Sequence, residues 1–128
     1  MTPFGARLRE LRAIRGIPLK QLAERLQISQ AYLSALEHGH RGAPGSGLVH
    51  QVCDAFDLIW DEAEEIARLA RLSHPRVVVD TAGLPPGHTA LANRLAQAIA
   101  HLPEAAVQSL HEVLDAHPTK ARPKAGRG

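Results

Sequence analysis

The chain has 128 residues and is poor in aromatics, cysteine and long apolar runs. Aromatics are 3% of it, one Trp, one Tyr and two Phe. A core must therefore be built from Leu, Ile, Val and Ala, which favours a helical bundle over a β-sandwich. Cysteine occurs once, at Cys53. No disulfide can form within the chain, which points to a reducing compartment, and the neighbours Val52 and Phe56 mark a buried, inert thiol. No apolar run approaches the roughly 20 residues that span a membrane, and MTPFGARLRE lacks the apolar stretch of a signal peptide. These absences lead to the expectation of a cytoplasmic protein.

Catalytic signatures are missing too. The chain has no nucleophile elbow, P-loop or paired-acid motif. Its eight histidines form no tight ligand set: His38 and His40 are distant from His50, and His101 and His111 fall on separate predicted helices. The expectation is a non-enzyme with no metal or other cofactor.

What is present is a globular composition, 45% hydrophobic, with a formal charge of only +2. The distribution of charge is more informative than the sum. Residues 1–41 carry seven Lys/Arg against three Asp/Glu, and residues 42–72 carry two against six. Residues 73–117 carry two against four, and residues 118–128 four against none. Positive charge lies on the first segment and on the tail, as a polyanionic ligand requires. An ordinary solvated face is the competing reading.

Hydrophobic spacing predicts helices almost throughout. Thr2 and Pro3 suit an N-cap and first helical position. Phe4, Leu8, Leu11 and Ile14 then recur on one face, and Gly16 suits a left-handed terminus. A second helix follows Pro18 and buries Leu22, Ala23 and Leu26. Gln27 and Ile28 form a turn, Ser29 caps a third helix burying Leu33 and Leu36, and that helix stops near His38-Gly39. After the irregular GHRGAPGSG, helices are predicted over roughly 47–56 and 60–72, the latter with Ile66, Leu69, Ala70 and Leu72 inward. Val77, Val78 and Val79 are predicted to form a short strand, which is not stable alone. Two further helices, about 88–101 and from Pro103 to about 116, make a predicted αα-hairpin. The expected fold is thus all-α: a five-helix domain over 1–72, a linker over 73–87 with a short strand at 76–80, a helical hairpin over 88–117, and a basic tail over 118–128.

The segment IPLKQLAERLQISQAYLSALEHG, residues 17–39, is the most informative. Two short amphipathic helices meet there at a turn of about three residues, and the second keeps small polar residues on the face its leucines leave free. That shape fits the major groove of DNA. Over residues 4–58, LRELRAIRG, LKQLAERLQIS, QAYLSALEHGHR and PGSGLVHQVCDAFDL match successive helices of one family. The chain resembles the Cro/repressor-like, or xenobiotic-response-element, helix-turn-helix regulators. The resemblance implies a compact five-helix domain, a recognition helix in the major groove, and dimeric binding to inverted half-sites. Two positions depart from it. Gln27 stands where many members have Gly, and Leu19 where many have a phosphate-binding Gln.

On this resemblance the base-reading candidates are Gln30, Ala31 and Ser34, with Ala35 adjoining. Gln can pair with adenine N6 and N7, and Ala can touch a thymine methyl. The phosphate candidates are Lys20, Ser29, Tyr32, His40 and Arg41. Gln30 as a plain surface residue and Tyr32 as a core-edge residue are the alternative readings. Arg12 and Glu37 occupy positions that form a structural ion pair in the family; Arg12 as a phosphate ligand is the alternative.

One such domain covers few base pairs, so a homodimer is expected. Its candidate residues are Val77, Val79, Leu91, Leu95, Ile99, Val107, Leu110 and Leu114, whose apolar stripes exceed what one hairpin can bury. The expected function is a DNA-binding, nucleoid-associated transcriptional repressor acting on an inverted repeat. A rival reading is an antitoxin or controller-type protein whose C-terminal half binds a protein partner.

Overall fold

The computed structural model describes residues 1–40 and 42–118. Arg41 and the basic tail beyond residue 118 lie outside the described residues. Among those described there are seven α-helices and no strand. The chain divides into two compact units, Met1–Val78 and Val79–Gly128. No helix is long and apolar enough to cross a membrane among the described residues.

The first unit contains α1 (Pro3–Arg15), α2 (Leu19–Leu26), α3 (Gln30–His38), α4 (Ser46–Ala55) and α5 (Asp61–Arg71). Local chemistry sets their ends. Thr2 caps α1 by accepting from the Gly5 N–H at 3.0 Å, with Pro3 in the first turn. Gly16 closes α1 and Gly39 closes α3, both in the left-handed conformation that glycine adopts without a Cβ penalty. α5 opens with Asp61, Glu62 and Glu64 and closes with Arg68 and Arg71, matching the helix dipole at both ends.

Helix α1 packs against α3 and α5, α2 against α3 and α4, and α4 against α5. One apolar core results. Phe4, Leu8 and Leu11 meet Leu22, Ala23 and Leu26 of α2, Leu33 of α3, Val52 and Phe56 beside α4, and Ile66 and Ala70 of α5. Gly5 allows the closest approach: a Cβ there would lie 2.6 Å from the carbonyl oxygens of Leu36 and Glu37. No larger residue fits without moving α3 away from α1.

Three side chains depart from the sequence reading. Ile14 is 69% exposed rather than inward. At 3.6 residues per turn the Phe4–Leu8–Leu11 stripe continues at residue 15, and Arg15 takes that place. Its guanidinium lies 5.9 Å from the Phe56 ring centre and donates to the Phe56 carbonyl at 2.8 Å. Leu72 is exposed because α5 ends at Arg71, and Ser73 takes the inward position at 2% exposure. The Ser73 hydroxyl accepts from the Phe4 N–H at 2.9 Å and donates to the Leu69 carbonyl at 2.6 Å. The first unit therefore extends past residue 72.

The expected strand at 76–80 is corrected. Val77, Val78 and Val79 are 72%, 97% and 67% exposed, and among the described residues no second segment supplies a hydrogen-bonding ladder. Without a partner a lone extended segment is not a strand.

The second unit contains α6 (Pro86–Ala98), a single 3₁₀ turn at Ile99–His101, and α7 (Glu104–Ala116). None of their residues is buried. Leu91, Leu95, Ile99, Leu110, Val113 and Leu114 are exposed.

Candidate nucleic-acid interface

Helices α2 and α3 are joined by Gln27, Ile28 and Ser29. Gln27 adopts φ 58° and ψ 42°, the left-handed conformation. The Ile28 N–H then donates to the Ala23 carbonyl at 3.0 Å, and the partly buried Ile28 side chain packs against the core. Ser29 follows in extended conformation, and its Oγ accepts from the Tyr32 N–H at 3.0 Å. This cap satisfies one of the free donors at the helix start and fixes the direction of α3.

Helix α3 buries Leu33, Leu36 and Glu37. Successive side chains turn by about 100°, so the arc opposite these three holds Ala31, Ser34, Ala35 and His38, with Gln30 at the leading end. Gln30, Ala31 and His38 are exposed, and Ser34 and Ala35 are half-buried. The structure thus brings the four base-reading candidates onto one short helix. The arc offers an amide, a hydroxyl and two methyl groups, and no charged Asp, Glu, Lys or Arg.

His38, which the sequence reading did not single out for this face, is exposed on the same arc. Its Nδ1 donates to the Ser34 carbonyl at 2.8 Å, which leaves Nε2 as the outer atom. Its ring stacks on His40, with centroids 6.4 Å apart and planes 22° from parallel. The i, i+4 spacing from Ser34 is the signal in the sequence that places His38 on this face.

The phosphate candidates are spread around this helix. Lys20 is exposed in the first turn of α2, and His40 is exposed just past the end of α3. Ser29 spends its hydroxyl on the cap, and Tyr32 is half-buried. Arg41 lies outside the described residues. Leu19, at the family's glutamine position, packs against the core instead. The N-terminus of α2, after Pro18, has no side-chain cap.

Arg12 and Glu37 form a bidentate pair behind the arc. Arg12 Nε donates to Glu37 Oε2 and Nη2 to Oε1, both at 2.8 Å, while Nη1 donates to the Ile17 carbonyl at 3.2 Å. Glu37 is 1% exposed. The hydrogen bond from Arg12 to the Glu37 carboxylate raises the Arg12 pKa; burial opposes this, and the charge of Glu37 adds to it. The pair ties α1 to the C-terminal end of α3, so it positions the helix and does not itself face outward.

Cys53 is a free thiol in the core. Burial, then the charge of Asp54, raises its pKa, which keeps it a neutral thiol. No group of three or more potential metal ligands occurs among the described residues.

Residues 3–66, half of the chain, match the model of a helix-turn-helix domain. Over 61 residues the chain is 50% identical to an uncharacterized HTH-type transcriptional regulator, RghRB, of Bacillus subtilis (strain 168). That alignment covers 48% of this chain and 44% of the relative, so it spans less than half of that protein. No solved structure matches.

Proposed function

The chain belongs to the helix-turn-helix domain family, and from that premise we propose that it is a sequence-specific, double-stranded DNA-binding transcriptional regulator. The observation that carries this reading is the outward face of α3: a capped, leucine-anchored helix with Ala31, Ser34 and Ala35 on its free side and Gln30 exposed at its leading end. In the major groove, the Gln30 amide pairs with an adenine edge, Ala31 and Ala35 meet thymine methyls, and Ser34 bonds to either kind of base. Lys20, Ser29, Tyr32, His40 and Arg41 hold the flanking phosphates, which fix register without reading sequence. Arg12 and Glu37 keep the helix at its working angle.

The proposed assembly is a homodimer on an inverted repeat, with half-sites about 34 Å apart, acting as a repressor of the Cro type. Val77, Val79, Leu91, Leu95, Ile99, Val107, Leu110 and Leu114 are the proposed dimer residues. All are exposed or half-buried in the single chain, and a second copy removes that apolar surface from water. The same exposed surface favours, as a second reading, an antitoxin or controller that buries it against another protein.

The test is duplex binding by purified protein at two salt concentrations. Gln30→Ala is expected to cost about 1–3 kcal/mol on the preferred duplex and to relax preference at one base position. Lys20→Ala is expected to weaken specific and random duplexes alike and to lower the salt slope by about 1. Equal losses from both substitutions on every duplex contradict the assignment.

A further inference from the structure

Between α5 and α6 the chain runs from Val77 to Thr81 without helix, turn or bend. Three consecutive β-branched residues lie there with side chains in water. Among the described residues, no backbone N–H or carbonyl of residues 76–80 makes a backbone hydrogen bond. Arg76 ends a bend, and the segment after it offers backbone groups without a backbone partner and apolar side chains suited to a ladder.

Its ends identify the partner. The sequence is Arg76-Val77-Val78-Val79-Asp80, a basic residue and an acidic residue bracketing an apolar centre. An antiparallel pairing of two such segments about a two-fold axis at Val78 places Arg76 opposite Asp80 of the other copy, twice. It also places Val77 opposite Val79 twice, and Val78 opposite itself. A two-fold interface requires this kind of self-complementarity. Among the described residues Arg76 makes no ion pair, and Asp80 uses Oδ1 to accept from the Ala82 N–H at 2.9 Å, leaving Oδ2 available. A parallel pairing in register would set like charges side by side.

We propose that residues 76–80 pair with the same residues of a second copy as an intermolecular antiparallel β-ribbon centred on Val78. The inference rests on the homodimer reading above and adds the register and the charge pairs that lock it. The ribbon supplies the missing backbone partners and brings the valines of two chains onto both of its faces.

Two measurements on the full-length chain test it, both with sedimentation to report the oligomeric state. In a Cys53→Ala background, Val78→Cys is expected to form an intermolecular disulfide on mild oxidation, because directly opposed residues lie about 4.5–5.5 Å apart. Val77→Cys is expected not to, since Val77 faces its own copy only diagonally, at about 7–8 Å. Arg76→Asp and Asp80→Arg are each expected to weaken the dimer roughly tenfold at low salt, and the combined exchange to restore it. A dimer that persists with no Val78→Cys cross-link, or in which the exchange fails to rescue, overturns the ribbon and leaves the homodimer standing. A monomer at all concentrations overturns both. A dimer cross-linked through Val77→Cys rather than Val78→Cys overturns the register.

Discussion

Arg12 and Glu37 show how one pair of side chains holds the proposed reading helix in place. Glu37 is almost fully buried, and both of its oxygens are occupied by the Arg12 guanidinium. Removing Arg12 leaves an uncompensated charge inside the domain. Arg12→Ala is expected to lower unfolding free energy by about 3–5 kcal/mol, measured by urea denaturation. Replacement by Lys is expected to recover only part of this, because an ammonium does not reproduce the two parallel hydrogen bonds. The two positions came from family resemblance; their spacing alone does not reveal that they meet. Other residues were illegible for a simpler reason. Ile14 looked inward because it is apolar, yet the helical period gives its place to Arg15, whose guanidinium lies over the Phe56 ring and donates to its carbonyl. Ser73 looked like linker, and only the approach of the Phe4 N–H from 69 residues away makes it a core contact.

At the scale of elements, helix boundaries were the most legible feature because caps are local. Thr2, Gly16, Ser29 and Gly39 sit at helix ends by their own chemistry. Ser29→Ala is expected to cost about 1 kcal/mol of stability through the lost cap and to loosen the start of α3. Gln27 occupies a left-handed position where an L side chain is strained. Gln27→Gly is expected to raise stability by up to about 1 kcal/mol, the conformational relief exceeding the entropy glycine carries in the unfolded chain. A fall in the melting temperature on that substitution contradicts this account of the turn. The α1–α3 approach was not legible: a glycine early in an amphipathic helix reads as a weak point, whereas Gly5 marks where two backbones touch. Gly5→Ala is expected to destabilise by at least about 1–3 kcal/mol, with the loss visible in thermal unfolding. The valine run was read as a short strand, and that reading is corrected: β-branched composition marks a preference, but no backbone group of residues 76–80 finds a ladder partner among the described residues.

For the whole molecule, the amphipathic helices fixed the all-α class, and the α2–turn–α3 geometry follows from them. The placement of charge follows the same division: the segment containing α1–α3 is basic, and the one containing α4 and α5 is acidic. The second unit is different in kind. Its helices carry apolar residues at helical spacing, but none of their residues is buried. The first unit closes around a core, and the second leaves apolar side chains exposed. That is why the sequence specified the first unit more fully than the second.

The most direct test of the central claim, that the outward arc of α3 reads base edges, is selection of bound duplexes from a random oligonucleotide pool by the full-length chain, followed by the same selection with Gln30→Ala. The account predicts an enriched inverted repeat with half-sites about one helical turn apart, and loss of preference at one position per half-site in the variant. Recovery of random sequence at low salt, or an unchanged motif from the variant, contradicts it.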